Sequence, residues 1–112
     1  MTATITGILF EINMFDASGG IGSGVCSDST VSLVKWGTVQ GANRAGHVLA
    51  TNGLRWESYG GSSDVWGLTW SPSDINDSSF GGVLQVYLQG GQGVDHAQCS
   101  VDAYRITIYY SN

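Results

Sequence analysis

The closing stretch CSVDAYRITIYY places Tyr104, Ile106, Ile108 and Tyr110 in one row and Arg105, Thr107 and Tyr109 in the other. A strict two-residue period belongs to a β-strand with one face buried, not to a helix. The same period recurs along the chain. TITGILFEINM puts Ile8, Phe10, Ile12 and Met14 on one face, with Thr4 and Thr6 continuing that row, and Gly7, Glu11 and Asn13 on the other. STVSLVKW, from Ser29 to Trp36, reads as a second strand. DVWGLTW reads as a strand with Trp66, Leu68 and Trp70 on one face and Gly67 opposite, where a backbone or ring can approach closely. GGVLQVYLQGG directs Leu84, Val86 and Leu88 inward and Gln85 and Tyr87 outward. One or two short edge strands are expected in HVLATNGLRWESYGG, around a turn at Asn52-Gly53. DASGGIGSG reads as a loop and GTVQGANRAG as a turn-rich connection. No window carries a convincing helical period, and no repeat of solenoid length occurs. The expected fold is all-β: one antiparallel, jelly-roll-like β-sandwich of about seven or eight strands.

Composition agrees with that reading. There are 17 glycines and 1 proline in 112 residues, which suits many tight turns, while 42% hydrophobic and 11% aromatic residues argue against disorder. The length suits a single domain, residues 1–112, with a thin core. The net charge is −5, and the only cations are Lys35, Arg44, Arg55 and Arg105. Four scattered cations cannot form a basic patch, so neither nucleic acid nor an anionic membrane surface is an expected partner. No apolar run approaches the ~18 residues of a membrane span. The N-terminus lacks the charged segment of a secretory signal, so the expected location is a virion or the cell exterior, reached after signal removal or by viral lysis.

Cys26 and Cys99 have no metal-ligand spacing. A disulfide between them would close a loop of about 74 residues and contribute roughly 4 kcal/mol through loop-closure entropy. The alternative is two buried thiols. SPSDIN carries the marks of a helix start: Ser71 as N-cap, Pro72 at the first position and Asp74 facing the free amides of the first turn. With Asn76 near its end, it predicts one short helical turn over Ser71–Asn76, pinned to the end of the sandwich by Ile75 and Phe80. On this reading the polar residues serve the backbone, and Trp66 and Trp70 belong to the core.

Little in the chain suggests catalysis. The two histidines, His47 and His96, lie in turn-rich segments, and no Gly-x-Ser-x-Gly elbow accompanies the many serines. The two glutamates, Glu11 and Glu57, are not singled out as the facing pair a glycosidase needs. Asp64, Asp74, Asn76 and Asp77 offer hard oxygens for calcium but lack the EF-hand spacing, and turn and cap roles explain them more simply. No cofactor and no metal are expected. Carbohydrate binding is the strongest alternative to a scaffold, with Trp36, Trp56, Tyr59, Tyr87 and Tyr109 as candidate outward aromatics. The same residues would serve equally well in a subunit contact.

Four segments, ITGILFEI, DSTVSLVK, YGGSSDVWGLTWSPSDINDSSFG and SVDAYRITIYY, occur in this order over nearly the whole chain. Together they resemble a β-sandwich domain that recurs in phage structural proteins and in uncharacterised surface proteins of environmental bacteria. The resemblance implies a scaffold that assembles on a virion or a surface, with no catalytic residues. Members of that group carry further strands before the first segment, whereas here Met1 stands just ahead of it. A sandwich short of such a strand either tolerates a gap or borrows a strand from a neighbouring subunit, and Met1–Thr6 and Tyr109–Asn112 are the expected contacts between subunits. The expected function is a non-enzymatic, self-assembling or decorating protein of a phage particle. Its partners would be copies of itself, other virion or surface proteins, or glycans. A carbohydrate-binding module and a filament subunit that exchanges N-terminal strands are the alternatives.

Overall fold

Each alternating run becomes a strand, with one exception. The structure, a computed structural model, describes residues 3–16, 25–46, 55–89 and 99–112. Its strands are β1 (Thr4–Asp16), β2 (Val25–Lys35), β3 (Thr38–Gln40), β4 (Arg55–Gly61), β5 (Gly81–Gln89) and β6 (Cys99–Ser111), and its helix is α1 (Pro72–Asn76). They form two antiparallel three-stranded sheets, ordered β4-β1-β6 and β3-β2-β5. The described residues thus hold six strands, fewer than the seven or eight expected. The Asn52-Gly53 turn, His47 and His96 lie outside the described residues.

The inner row of β1 (Ile8, Phe10, Ile12 and Met14) is buried, as its period requires. Opposite these residues on β6 stand Ile108, Ile106, Tyr104 and Val101. From the other sheet come Cys26, Val31 and Leu33 of β2 and, from β5, Leu84 and Val86, so the two sheets share one apolar core. Two bulges in the β1–β6 pairing adjust its rows. One at Thr6 turns Ile5 toward the core beside Tyr110, so Thr4 and Thr6 do not continue the inner row as their spacing suggests. An extra residue reverses the face of everything beyond it. A second, at Asp102, keeps Val101 on the same face as Tyr104.

DVWGLTW is the exception: it is not a strand. Val65–Leu68 is a tight turn closed by the Leu68 amide on the Val65 carbonyl at 3.1 Å. Trp66 and Gly67 both have positive φ, 61° and 75°, the signature of a type I′ turn. Gly67 is therefore needed for its backbone angle; the space beside it is open, not the close approach expected. Both tryptophans are nonetheless core. Trp66 donates from Nε1 to the Ile8 carbonyl at 2.9 Å, and Trp70 donates to the Val65 carbonyl at 2.9 Å. Placing two large indoles between the sheets overrides the local alternation, because each needs both burial and an acceptor.

The same turn type joins β2 to β3. Trp36 (φ 53°) and Gly37 (φ 78°) form the two-residue loop between Lys35 and Thr38. Trp36 is thus a turn residue and not the end of β2, and the connection read as turn-rich contains a three-residue strand. Beyond β3 the chain runs beside β2 without forming a strand. The Arg44 amide donates to the Val31 carbonyl, while Asn43 accepts from the Val31 amide and donates to the Ser29 carbonyl.

Cys26 of β2 and Cys99 of β6 are joined by a disulfide with a Cα–Cα distance of 5.9 Å. It ties one sheet to the other at the end of the core remote from Trp66 and α1.

Candidate functional site

The sheet edges differ in how they are guarded. β3 is three residues long, and β4 carries Arg55 and Glu57. β5 and β6 also end their sheets, but they are long, nine and 13 residues. β5 carries no charge, and β6 has only Asp102, at its bulge, and Arg105. Natural proteins usually protect such edges with charge, proline or brevity, because unpaired amides and carbonyls invite another strand.

β5 and β6 lie on the same side of the molecule, where the core opens. Phe10, Ile12, Gly82, Leu84, Val101 and Tyr104 line a groove of about 120 Å³ between the sheets. A second groove, about 250 Å³, lies between Ile5, Ile108 and Tyr110 of the first sheet, with Ala3 just before β1, and Pro72 and Ile75 of α1. Tyr104 and Tyr110 belong to the inward row of β6 yet are 68% and 61% exposed, because no strand lies beyond β6 among the described residues. Tyr104 meets Phe10 edge-on, with ring centroids 6.3 Å apart.

The aromatics singled out from the sequence do not converge on one site. Trp36 is exposed at its turn and donates from Nε1 to Asp74 Oδ1 at 2.5 Å. Trp56 lies on the outer face of the first sheet, its ring covered by Arg105 at 4.1 Å. Arg105 also binds Glu11 at 2.7 Å. Tyr87 is exposed on the outer face of the other sheet, and Tyr109 is half-buried. Tyr59 is not an outward aromatic. It is 2% exposed, stacks obliquely near Phe10 and donates to Asp28 Oδ2 at 2.8 Å. Its place opposite Phe10 in the register puts it on the core face. Burial, and then the Asp28 carboxylate, push its hydroxyl far above the usual tyrosine range.

The acidic residues are occupied structurally. Ser71 and Asp74 form a reciprocal capping box for α1: the Ser71 hydroxyl accepts from the Asp74 amide, and Asp74 accepts from the Ser71 amide at 2.8 Å. That amide and the Trp36 indole hold the Asp74 carboxyl below the usual range, with Lys35 3.7 Å away. Burial would raise Asp64, but hydrogen bonds from Arg44 (2.6 Å) and the Trp66 amide (2.8 Å) hold it low. Asp77 accepts from the Ser79 amide, and Asn76 lies by the second groove. No group of three or more metal-binding side chains occurs among the described residues. No described helix is long and apolar enough to cross a membrane.

Sequence reasoning placed Tyr110 in an expected contact segment, Tyr109–Asn112, but missed Val101 and Tyr104 as surface residues. The period sets Tyr104 in the row of Ile106 and Ile108 and Val101 in the opposite row; the Asp102 bulge brings Val101 to the Tyr104 face, and the position of β6 at a sheet edge among the described residues exposes both. No family description, curated protein or solved structure matches the chain.

Proposed function

We propose that the protein is a non-enzymatic structural subunit, a jelly-roll-like β-sandwich that self-assembles or decorates an assembly. The observation that carries this reading is the unguarded side formed by β5 and β6. Two long, nearly uncharged strand edges flank an open apolar groove there, Tyr104 and Val101 stand exposed around it, and Tyr110 stands exposed at the second groove. Leaving that surface in water is unfavourable and aggregation-prone, and coverage by a partner removes both problems. A phage particle component, such as a capsid decoration, tail or fibre part, is the form we favour. It rests on the four segments that resemble such domains. The partners would be copies of itself or other virion or surface proteins.

The test is the solution mass by light scattering, with electron microscopy of the same sample. A defined oligomer or a regular assembly is the expected result. A monomer at high concentration overturns self-assembly.

Glycan binding is the second reading. Trp56, Glu11 and Arg105 lie together on the outer face of the first sheet, beside Asn13, whose buried Oδ1 has no hydrogen-bond partner. Saturable tryptophan quenching in a glycan titration, abolished by Trp56→Ala, would establish it. Exchange of N-terminal strands ranks third, since β1 is the central strand of its sheet and would have to leave two neighbours.

A further inference from the structure

Among the described residues nothing pairs with the outer edge of β6, and that strand carries a pattern that matches itself when reversed. Read outward from Thr107, Ile106 mirrors Ile108 and Tyr104 mirrors Tyr110, all four in the inward row. In the other row Arg105 mirrors Tyr109. From Ala103 to Ser111 the only charged residue is Arg105, and the Asp102 bulge lies just outside that span. We infer that two copies of this chain pair β6 against β6, antiparallel, with a two-fold axis through Thr107. The inference rests on the self-assembly reading and specifies its surface.

This register satisfies what cross-strand pairing requires. Directly opposed residues share a face, so Ile106 meets the other copy's Ile108, and Tyr104 meets its Tyr110. Arg105 is set against an aromatic ring and never against a like charge. A two-fold interface must be self-complementary, and this strand is. Shifting the register by one residue would set inward against outward residues and lose every apolar pair.

The grooves fit the same arrangement. Tyr104 borders the groove between the sheets, and Tyr110 borders the groove beside α1. Pairing about Thr107 brings each tyrosine of one copy to the opposite groove of the other, so both openings are covered. The four tyrosines bring on the order of 500 Å² of aromatic surface. The backbone edges and groove walls supply the remainder of the roughly 1,200 Å² that a stable interface needs. The two first sheets would join into one continuous sheet.

Cysteine cross-linking and a charge variant test the register. Thr107 is exposed on the outer face, so substitutions there leave the core untouched. Under mild oxidation Thr107→Cys is expected to give a covalent dimer. Ala103→Cys should not, because Ala103 faces Ser111 and lies about 26 Å along the strands from its own copy. Thr107→Lys sets like charges face to face and is expected to shift the light-scattering mass to that of the monomer, with circular dichroism unchanged, while Ala103→Lys does not. If the native protein is oligomeric, but Thr107→Cys fails to cross-link and Thr107→Lys leaves the mass unchanged, the register is overturned and self-assembly stands. If the native protein is monomeric at high concentration, both fall.

Discussion

Tyr59 and Asp28 show how much a single buried polar pair contributes here. Both lie in the interior, and the Gly46 amide completes the site by donating to Asp28 Oδ1 at 2.9 Å. Tyr59→Phe keeps the ring but removes a donor from a buried carboxylate, which is expected to cost about 1–3 kcal/mol in urea unfolding. Three hydrogen-bonded carboxylates set the acid limit. Asp64, Asp74 and Glu11 all titrate below their ordinary values of 3.8 (Asp) and 4.5 (Glu) in the folded chain. For Glu11 the main cause is its hydrogen bond from Arg105, opposed by partial burial. On acidification the unfolded chain therefore takes up protons first. Stability is expected to be level above those ordinary values and to fall as the pH drops through the lower folded ones. Thermal melts between pH 6 and pH 2 would show it as a falling Tm, on the order of several degrees. A melting temperature that stays level across that range would refute the account.

At the scale of elements, glycine placement governs how the sheets meet. A Cβ on Gly82 of β5 would strike the Phe10 ring, which rests directly on that backbone. Gly82→Val is expected to lower stability by about 1–3 kcal/mol through overpacking, read by urea denaturation. Gly7 matters in the same way, since a Cβ there would collide with the Gly61–Ser62 backbone. The helix α1 is too short to persist alone. Its capping box, the Trp36 indole on Asp74, and Lys35 donating to the Thr69 carbonyl at 2.6 Å fasten it to the β2–β3 turn. The short stretch rich in tryptophan and aspartate is thus a corner of the fold. It covers the core end and supplies one wall of the second groove.

For the whole molecule, the disulfide and the open side act in opposite senses. Cys26–Cys99 joins the two sheets, and loop-closure entropy assigns it about 4 kcal/mol. Paired Cys26→Ser and Cys99→Ser substitutions are expected to lower unfolding stability by roughly that amount. An unchanged urea midpoint would show that the core alone holds the sheets together. The β5–β6 side, by contrast, leaves apolar surface uncovered, and the proposed pairing of β6 edges would cover part of it. Stability should then rise with protein concentration, as mass action requires of an oligomer.

The identity of five of the strands, the capped turn at Ser71–Asn76 and the core row of β1 were legible in the sequence. Each follows from interactions within a few residues: side-chain alternation, an N-cap, a proline at N1. Tertiary structure decided the rest. Tyr59 is buried and Tyr104 exposed although both lie on inward-facing rows, because β4 is backed by the core at Phe10 while β6 has no strand beyond it among the described residues. Trp66 enters a turn instead of a strand because its indole must reach the Ile8 carbonyl, 58 residues away in sequence. Which strand becomes an edge depends on pairings between distant segments, and local periodicity carries no record of them.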